Sequence, residues 1–287
     1  MKPPAKRQLH IPSTLAEALG MRERLGPSAE YFAGGTWIMR ADLRQEFDDR
    51  HYIAIGGLKE LAGVAVSESE VTIGSAVTHG ALADAIKGMP ALAALSGAAA
   101  KSANPAIRQM ATIGGNLCTR AFAAADLAPA LLCLEADVEL ALGAEIVRMP
   151  LAQFLAERDT FAGILLGIVV PRQQRHSAHA RLPLKQAGDY PVAIVSASIS
   201  LDPDGRIAEA VIAVGSVEQT ARRWPGLEAQ LAGRRLNASE IAAMSVKHID
   251  EFSGRDGVEA PGWYRVKVLP ELVRRAFADL LADTCGG

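Results

Sequence analysis

Phe32-Ala33-Gly34-Gly35-Thr36 and Ala111-Thr112-Ile113-Gly114-Gly115-Asn116 decide how this chain is read. Each holds a Gly-Gly step with an apolar residue before it and a hydroxyl or amide side chain after it. Such a step lets the backbone turn with positive φ and leaves no Cβ in the way. Consecutive N–H groups can then converge on an anion as a nest. Two nests about eighty residues apart can grip both ends of a pyrophosphate, so the pattern points to a dinucleotide. Either pair alone is as readily an ordinary turn, which is how Gly56-Gly57 is read. Thr36 and Asn116 add side-chain donors suited to phosphate. Neither stretch spells G-x-G-x-x-G or a P-loop.

Outward from these pairs the chain reads as alternating α and β segments. Around the first pair, Ser13 is placed to cap a helix running to about Leu25, with Glu30–Ala33 and Tyr52–Ile55 as strands. Around the second, Val64–Val66 and Val71–Ile73 make a hairpin. Helices are expected at about 80–87 and 90–102, then a loop through Asn104-Pro105-Ala106-Ile107-Arg108, then a helix at about Ala125–Ala136. Val138–Leu142 and Glu145–Arg148 pair across Gly143-Ala144. Pro171–His179, polar and basic, reads as a linker. Beyond it, Val192–Leu201 and Arg206–Val214 flank the turn Asp202-Pro203-Asp204-Gly205. Apolar residues at Val266, Leu269, Leu272, Val273 and Phe277 mark one face of a helix from about Tyr264 to Ala282.

Composition narrows the function. In 287 residues, 49% are hydrophobic and 22% charged, enough for a packed core. A net charge of −2 and 5% aromatic residues argue against nucleic acid as a ligand. No apolar run reaches the length of a membrane span; Phe161–Val170 is the best and carries two glycines. The basic start Met1–Arg7 lacks the apolar core of a secretion signal, and Cys118, Cys133 and Cys285 form no CxxC pair. A cytoplasmic location is expected. The histidines do not cluster at ligand spacing, His176 and His179 falling in the expected linker, so no metal site is predicted. No Ser-His-Asp or Cys-His pairing can be argued, and no catalytic residue is named. Asp126, after Ala123-Ala124-Ala125, can cap the following helix or accept from a ribose hydroxyl.

Taken together, the motifs resemble the FAD-binding medium subunit of the molybdenum hydroxylases, the xanthine dehydrogenase and carbon monoxide dehydrogenase flavoprotein family. The resemblance runs through Ala33–Thr36, Gly74-Ser75-Ala76-Val77-Thr78-His79, Ile107-Arg108, Ala111–Leu117 and Asp126. It continues with Lys185, Gly188-Asp189-Tyr190, Tyr264-Arg265 and Val273-Arg274-Arg275-Ala276.

The resemblance implies an α+β fold. Two α/β FAD-binding subdomains of the vanillyl-alcohol-oxidase (PCMH) type, residues 1–60 and 61–175, clasp FAD, and a C-terminal α+β domain, 176–287, with an antiparallel sheet and helices closes over it. By family position Ala33, Gly34, Gly35, Thr36, Trp37, Ile38 and Met39 form one cofactor loop. Ile107, Thr112, Gly114, Gly115 and Asn116 belong to the second. Thr78 contacts the cofactor, Asp126 its ribityl or ribose region, and Lys185 and Tyr190 the flavin. Two departures stand out. Trp37 replaces a smaller or polar residue, and Cys118–Ala125 lacks the family's usual proline before the aspartate. Three scattered cysteines cannot supply an iron–sulfur cluster.

The implied role is electron relay. A large molybdenum–pterin subunit hydroxylates a substrate, a small subunit with two-iron, two-sulfur clusters passes electrons on, and FAD on this chain delivers them to a terminal acceptor within a dimer of heterotrimers. Two alternatives remain at this point: a non-catalytic assembly subunit with little or no flavin, and a stand-alone NADH-dependent flavin reductase.

Overall fold

The structure, a computed structural model, describes residues 6–46, 49–184, 190–257 and 259–285. Its strands form three sheets. The first is parallel, with β1 (Arg7–His10), β2 (Ala29–Phe32) and β3 (Arg50–Ala54) in the order β1-β3-β2. Helix α1 (Leu15–Leu25) crosses over this sheet and buries Ala18 against Ala29, Ile53 and Leu61. Its cap is Thr14, not Ser13. The Thr14 hydroxyl accepts the Glu17 N–H at 3.2 Å, and the Glu17 carboxylate accepts the Ser13 N–H at 2.7 Å. Glu17 thus meets the Thr14 hydroxyl with its N–H and the residue before the cap with its carboxylate, and the helix starts one residue later than expected.

The second sheet is antiparallel. Strands β4 (Val64–Val66) and β5 (Glu70–Gly74) form the expected hairpin. Helices α2 (His79–Ala85), α3 (Ala93–Lys101), α4 (Pro105–Arg108), α5 (Ile113–Cys118) and α6 (Leu127–Cys133) follow, before the second hairpin of β6 (Asp137–Leu142) and β7 (Glu145–Pro150). Helix α7 (Leu151–Glu157) and β8 (Ile164–Pro171) complete a sheet ordered β4-β5-β8-β6-β7. The expected 104–108 loop is instead a helical turn. Asn104 caps it by accepting the Ile107 N–H at 3.0 Å, and Pro105 occupies the first position, where its missing N–H costs nothing. Every residue of α6 is buried, because the helix lies between the other helices of this unit and strands of the third sheet.

That third sheet runs β12-β11-β10-β9, antiparallel throughout, from β9 (His176–Pro183), β10 (Pro191–Leu201), β11 (Ile207–Gly215) and β12 (Arg222–Arg223). The expected linker is therefore overturned over 176–179. Those residues open β9, with Ser177, Ala178 and His179 buried. The strand carries helices on both faces, so its inward residues do not alternate with outward polar ones, and its polar side chains are bonded inside: Ser177 accepts the Ala94 N–H at 2.9 Å and His179 Nδ1 meets Ser196 Oγ at 2.9 Å. Helices α8 (Pro225–Glu228), α9 (Ala238–Ser245), α10 (Gly262–Lys267) and α11 (Leu269–Cys285) finish the chain. The single terminal helix expected from Tyr264 is broken at Val268. Pro270 has no N–H to continue a helix but fits a first turn, so α11 starts afresh at Leu269. Its apolar face, including Leu272, Val273 and Phe277, is buried as the periodicity predicted, while Arg274 and Arg275 stay outside on Glu271.

Candidate functional site

A cleft of about 820 Å³ lies where the three sheets meet, and the loop after β2 forms one wall. Gly34 is there for closeness: a Cβ on it would fall 1.8 Å from the Met110 carbonyl oxygen. Gly35 is there for conformation, with φ +69°. The turn leaves the backbone N–H groups of Gly34, Gly35, Thr36 and Trp37 without a partner among the described residues. Four consecutive free donors beside a cleft are a ready acceptor for an oxyanion.

The opposite wall, with the second glycine pair, is built differently. Gly114 and Gly115 lie in α5 with negative φ, and this corrects the two-nest reading. Thr112 caps the helix by accepting the Gly115 N–H at 3.1 Å. Ile113, Gly114 and Asn116 donate to Val77, Ser75 and Thr112 carbonyls at 2.8–3.0 Å, so the amides here are spent on the fold. Gly114 is small because a Cβ would lie 2.8 Å from the Ser75 carbonyl oxygen. Gly115, by contrast, is exposed on the cleft wall, and its missing side chain keeps the space open. The buried Asn116 accepts the Leu127 N–H at 3.3 Å and ties α5 to α6.

Charge in the cleft opposes that of the whole chain. Seven arginines line it (22, 40, 44, 50, 120, 158 and 181) against three carboxylates, Glu30, Glu46 and Asp126. Arg44, Arg50, Arg120 and Arg181 pair with carboxylates. Arg22, Arg40 and Arg158 bond only carbonyl or phenol oxygens among the described residues. The cationic surplus suits an anionic ligand.

Asp126 does not cap α6 with its side chain. Its carboxylate, 5% exposed, accepts from Arg181 Nε at 2.8 Å and lies 3.7 Å from His179 Nε2. Removing one partner of such a buried pair strands the other, at a cost of about 3–5 kcal/mol. His79, at the start of α2, is also buried on the cleft wall. Its Nδ1 meets Ser102 Oγ at 2.6 Å, while Nε2 has no partner among the described residues. Burial is the main reason its pKa falls to about 4, so the imidazole is neutral.

Aromatic rings from the loop after β2, the connection between α5 and α6 and the approach to β10 meet at the cleft. Phe122 packs on Trp37 with centroids 5.2 Å apart and edge-on to Tyr190 at 5.3 Å. Arg44 lies over the Trp37 ring, 4.2 Å from its centroid, and Arg40 donates to the Tyr190 hydroxyl at 2.9 Å. The departures from the family pattern thus become partners: Trp37 and Phe122 fill one another's space.

The cleft gathers Ala33, Gly34, Gly35, Thr36, Trp37, Ile38, Ile107, Thr112, Gly114, Gly115, Asn116, Asp126 and Tyr190 from the residues singled out in the sequence. Two others do not line it. Met39 is 76% exposed, and the Thr78 hydroxyl is used in accepting the Ala81 N–H at the start of α2. Lys185 lies outside the described residues. Arg40, Arg158 and Arg181 also line the cleft, and their scattered positions carry no pattern in the sequence. His79 closes the Gly74–His79 stretch with no signal of its own in the sequence.

Residues 5–173 match the family described as the FAD binding domain in molybdopterin dehydrogenase. The chain belongs to that family. Residues 180–280 match the CO dehydrogenase flavoprotein C-terminal domain. The FAD-binding chain is 26% identical over 285 residues to a putative xanthine dehydrogenase FAD-binding subunit of Escherichia coli, covering 96% of this chain and 97% of the relative. It is 28% identical over 286 residues to the 6-hydroxypseudooxynicotine dehydrogenase complex subunit alpha of Paenarthrobacter nicotinovorans, covering 98% and 96%. A Cu,Mo-CO dehydrogenase structure shares its fold with a TM-score of 0.84 at 22% identity, over 98% of this chain and 99% of the other. The protein is thus an FAD-binding medium subunit of the molybdenum hydroxylase type, an oxidoreductase component with the α+β fold expected. No helix among the described residues is long and apolar enough to cross a membrane.

Proposed function

We propose that this chain binds FAD in the cleft and relays electrons from a two-iron, two-sulfur subunit to a terminal acceptor, beside a large molybdenum–pterin subunit that acts on the substrate. The observation that carries the reading is the row of N–H groups from Gly34 to Trp37, unpartnered among the described residues, beside a cleft with surplus arginine charge. These are donors for a pyrophosphate. FAD, when bound, supplies a carrier that accepts and returns electrons. The chain's own residues bind and orient it. Gly34–Trp37 hold the phosphates, Gly115 leaves room beside them, and the neutral His79 and the Asp126–Arg181 pair supply polar partners in the cleft wall. Trp37, Phe122 and Tyr190 offer apolar ring surface. The division into units 1–60, 61–175 and 176–287 belongs to the same proposal, as do a heterotrimer that dimerises and a cytoplasmic location.

Electron relay needs no acid–base group on this chain, but it needs a partner close to the flavin. Met39 and Leu43, 76% and 77% exposed, and the exposed Met110 surround the first loop with apolar surface suited to one. The test is to co-express the chain with its iron–sulfur and molybdenum partners and add substrate without oxygen. Flavin bleaching that requires the iron–sulfur subunit is the expected result. NADH reduction of the isolated chain, without partners, would instead identify a flavin reductase.

A further inference from the structure

Arg265 is a fully buried arginine, and its bonds converge on one corner. Nη1 donates to the Val192 carbonyl at 2.8 Å and the Ser216 carbonyl at 3.2 Å, while Nη2 reaches Glu259 at 3.1 Å. Arg255 comes to the same serine, with Nε 3.1 Å from its carbonyl and Nη2 3.2 Å from its hydroxyl. Ser216 is fully buried, holds φ +63°, and donates its hydroxyl to the Pro191 carbonyl at 2.5 Å. Two like charges at a left-handed serine are a costly arrangement, and packing of α11 on β9 and β10 already supplies an apolar core. What the corner fixes is the entry to β10. Pro191 and Val192 directly follow Tyr190, the C-terminal member of the aromatic cluster in the cleft.

We propose that Arg265, with Arg255 and Ser216, is a positioning clamp that sets the Tyr190 ring against Phe122 and its hydroxyl on Arg40, and so shapes the cofactor cleft from outside it. This rests on the FAD-binding reading of that cleft. The test uses the full chain labelled with fluorotyrosine, the Tyr190 resonance being assigned with Tyr190→Phe. Arg265→Lys and the milder Ser216→Gly, which removes the hydroxyl and relaxes the backbone, are each expected to shift or broaden that resonance while Tyr31 and Tyr52 stay unmoved. Each is expected to weaken FAD binding about tenfold with Tyr190 present, equivalent to about 1.4 kcal/mol, and not at all in a Tyr190→Ala background. An unmoved Tyr190 resonance in both variants, or the same loss of FAD affinity with and without Tyr190, would overturn the clamp. A chain that takes up no FAD would defeat the cofactor reading, and the fluorine resonance would still decide the clamp.

Discussion

At the residue scale the two glycine pairs look alike in sequence and do different work. Gly34→Ala drives a Cβ into the Met110 carbonyl and is expected to cost at least about 2 kcal/mol, with loss of FAD from the purified protein. Gly115→Ala meets only the Thr112 hydroxyl, at 3.1 Å, so its melting should stay within about 0.5 kcal/mol of the parent while FAD affinity falls. Thermal melts and FAD titration of the two variants separate fold from cofactor space. His79 makes a second prediction. Its folded pKa of about 4 lies below the ordinary 6.5, so between those values the unfolded chain binds a proton that the folded chain refuses. Stability must therefore fall as the pH drops through that window. Urea melts at pH 7 and pH 5 should show a loss of about 2 kcal/mol that is absent in His79→Leu. Equal losses in both proteins would contradict a buried neutral imidazole.

At the element scale, local chemistry decided boundaries that pattern left open. Ser13 and Thr14 are both good caps, and the choice falls to Thr14 because Glu17 is three residues on. Thr14→Ala is expected to lower stability by about 1 kcal/mol and Ser13→Ala by no more than a few tenths, measured by chemical unfolding. Hairpins with alternating residues and short turns were legible in the sequence: β4–β5, β6–β7 and β10–β11 all form. The strand β9 was not, because a strand covered by helices on both sides loses its alternation, and His176 and His179 made it look solvated. The same limit applied at Gly114-Gly115. A Gly-Gly step in a capped helical turn reads like one in a loop, and only the bonds to Val77 and Ser75 tell them apart.

At the scale of the whole molecule, the cleft depends on strands of all three sheets contributing to one surface. Motif order across the chain was enough to place the fold and most of the cleft-lining positions. It was not enough to find Arg40, Arg158 and Arg181, which reach the cleft from distant stretches of the chain, or to foresee that Trp37, Phe122 and Tyr190 pack together. Such groupings come from tertiary placement and leave no periodic trace in sequence. The central claim is that this surface holds FAD. The most direct measurement is an absorption spectrum of the purified full chain, with the heat-released cofactor identified by mass and titrated back. About one equivalent of FAD, with flavin bands, is the predicted result for the single cleft described. A colourless chain that takes up no added FAD, alone or assembled with its iron–sulfur and molybdenum partners, would contradict it.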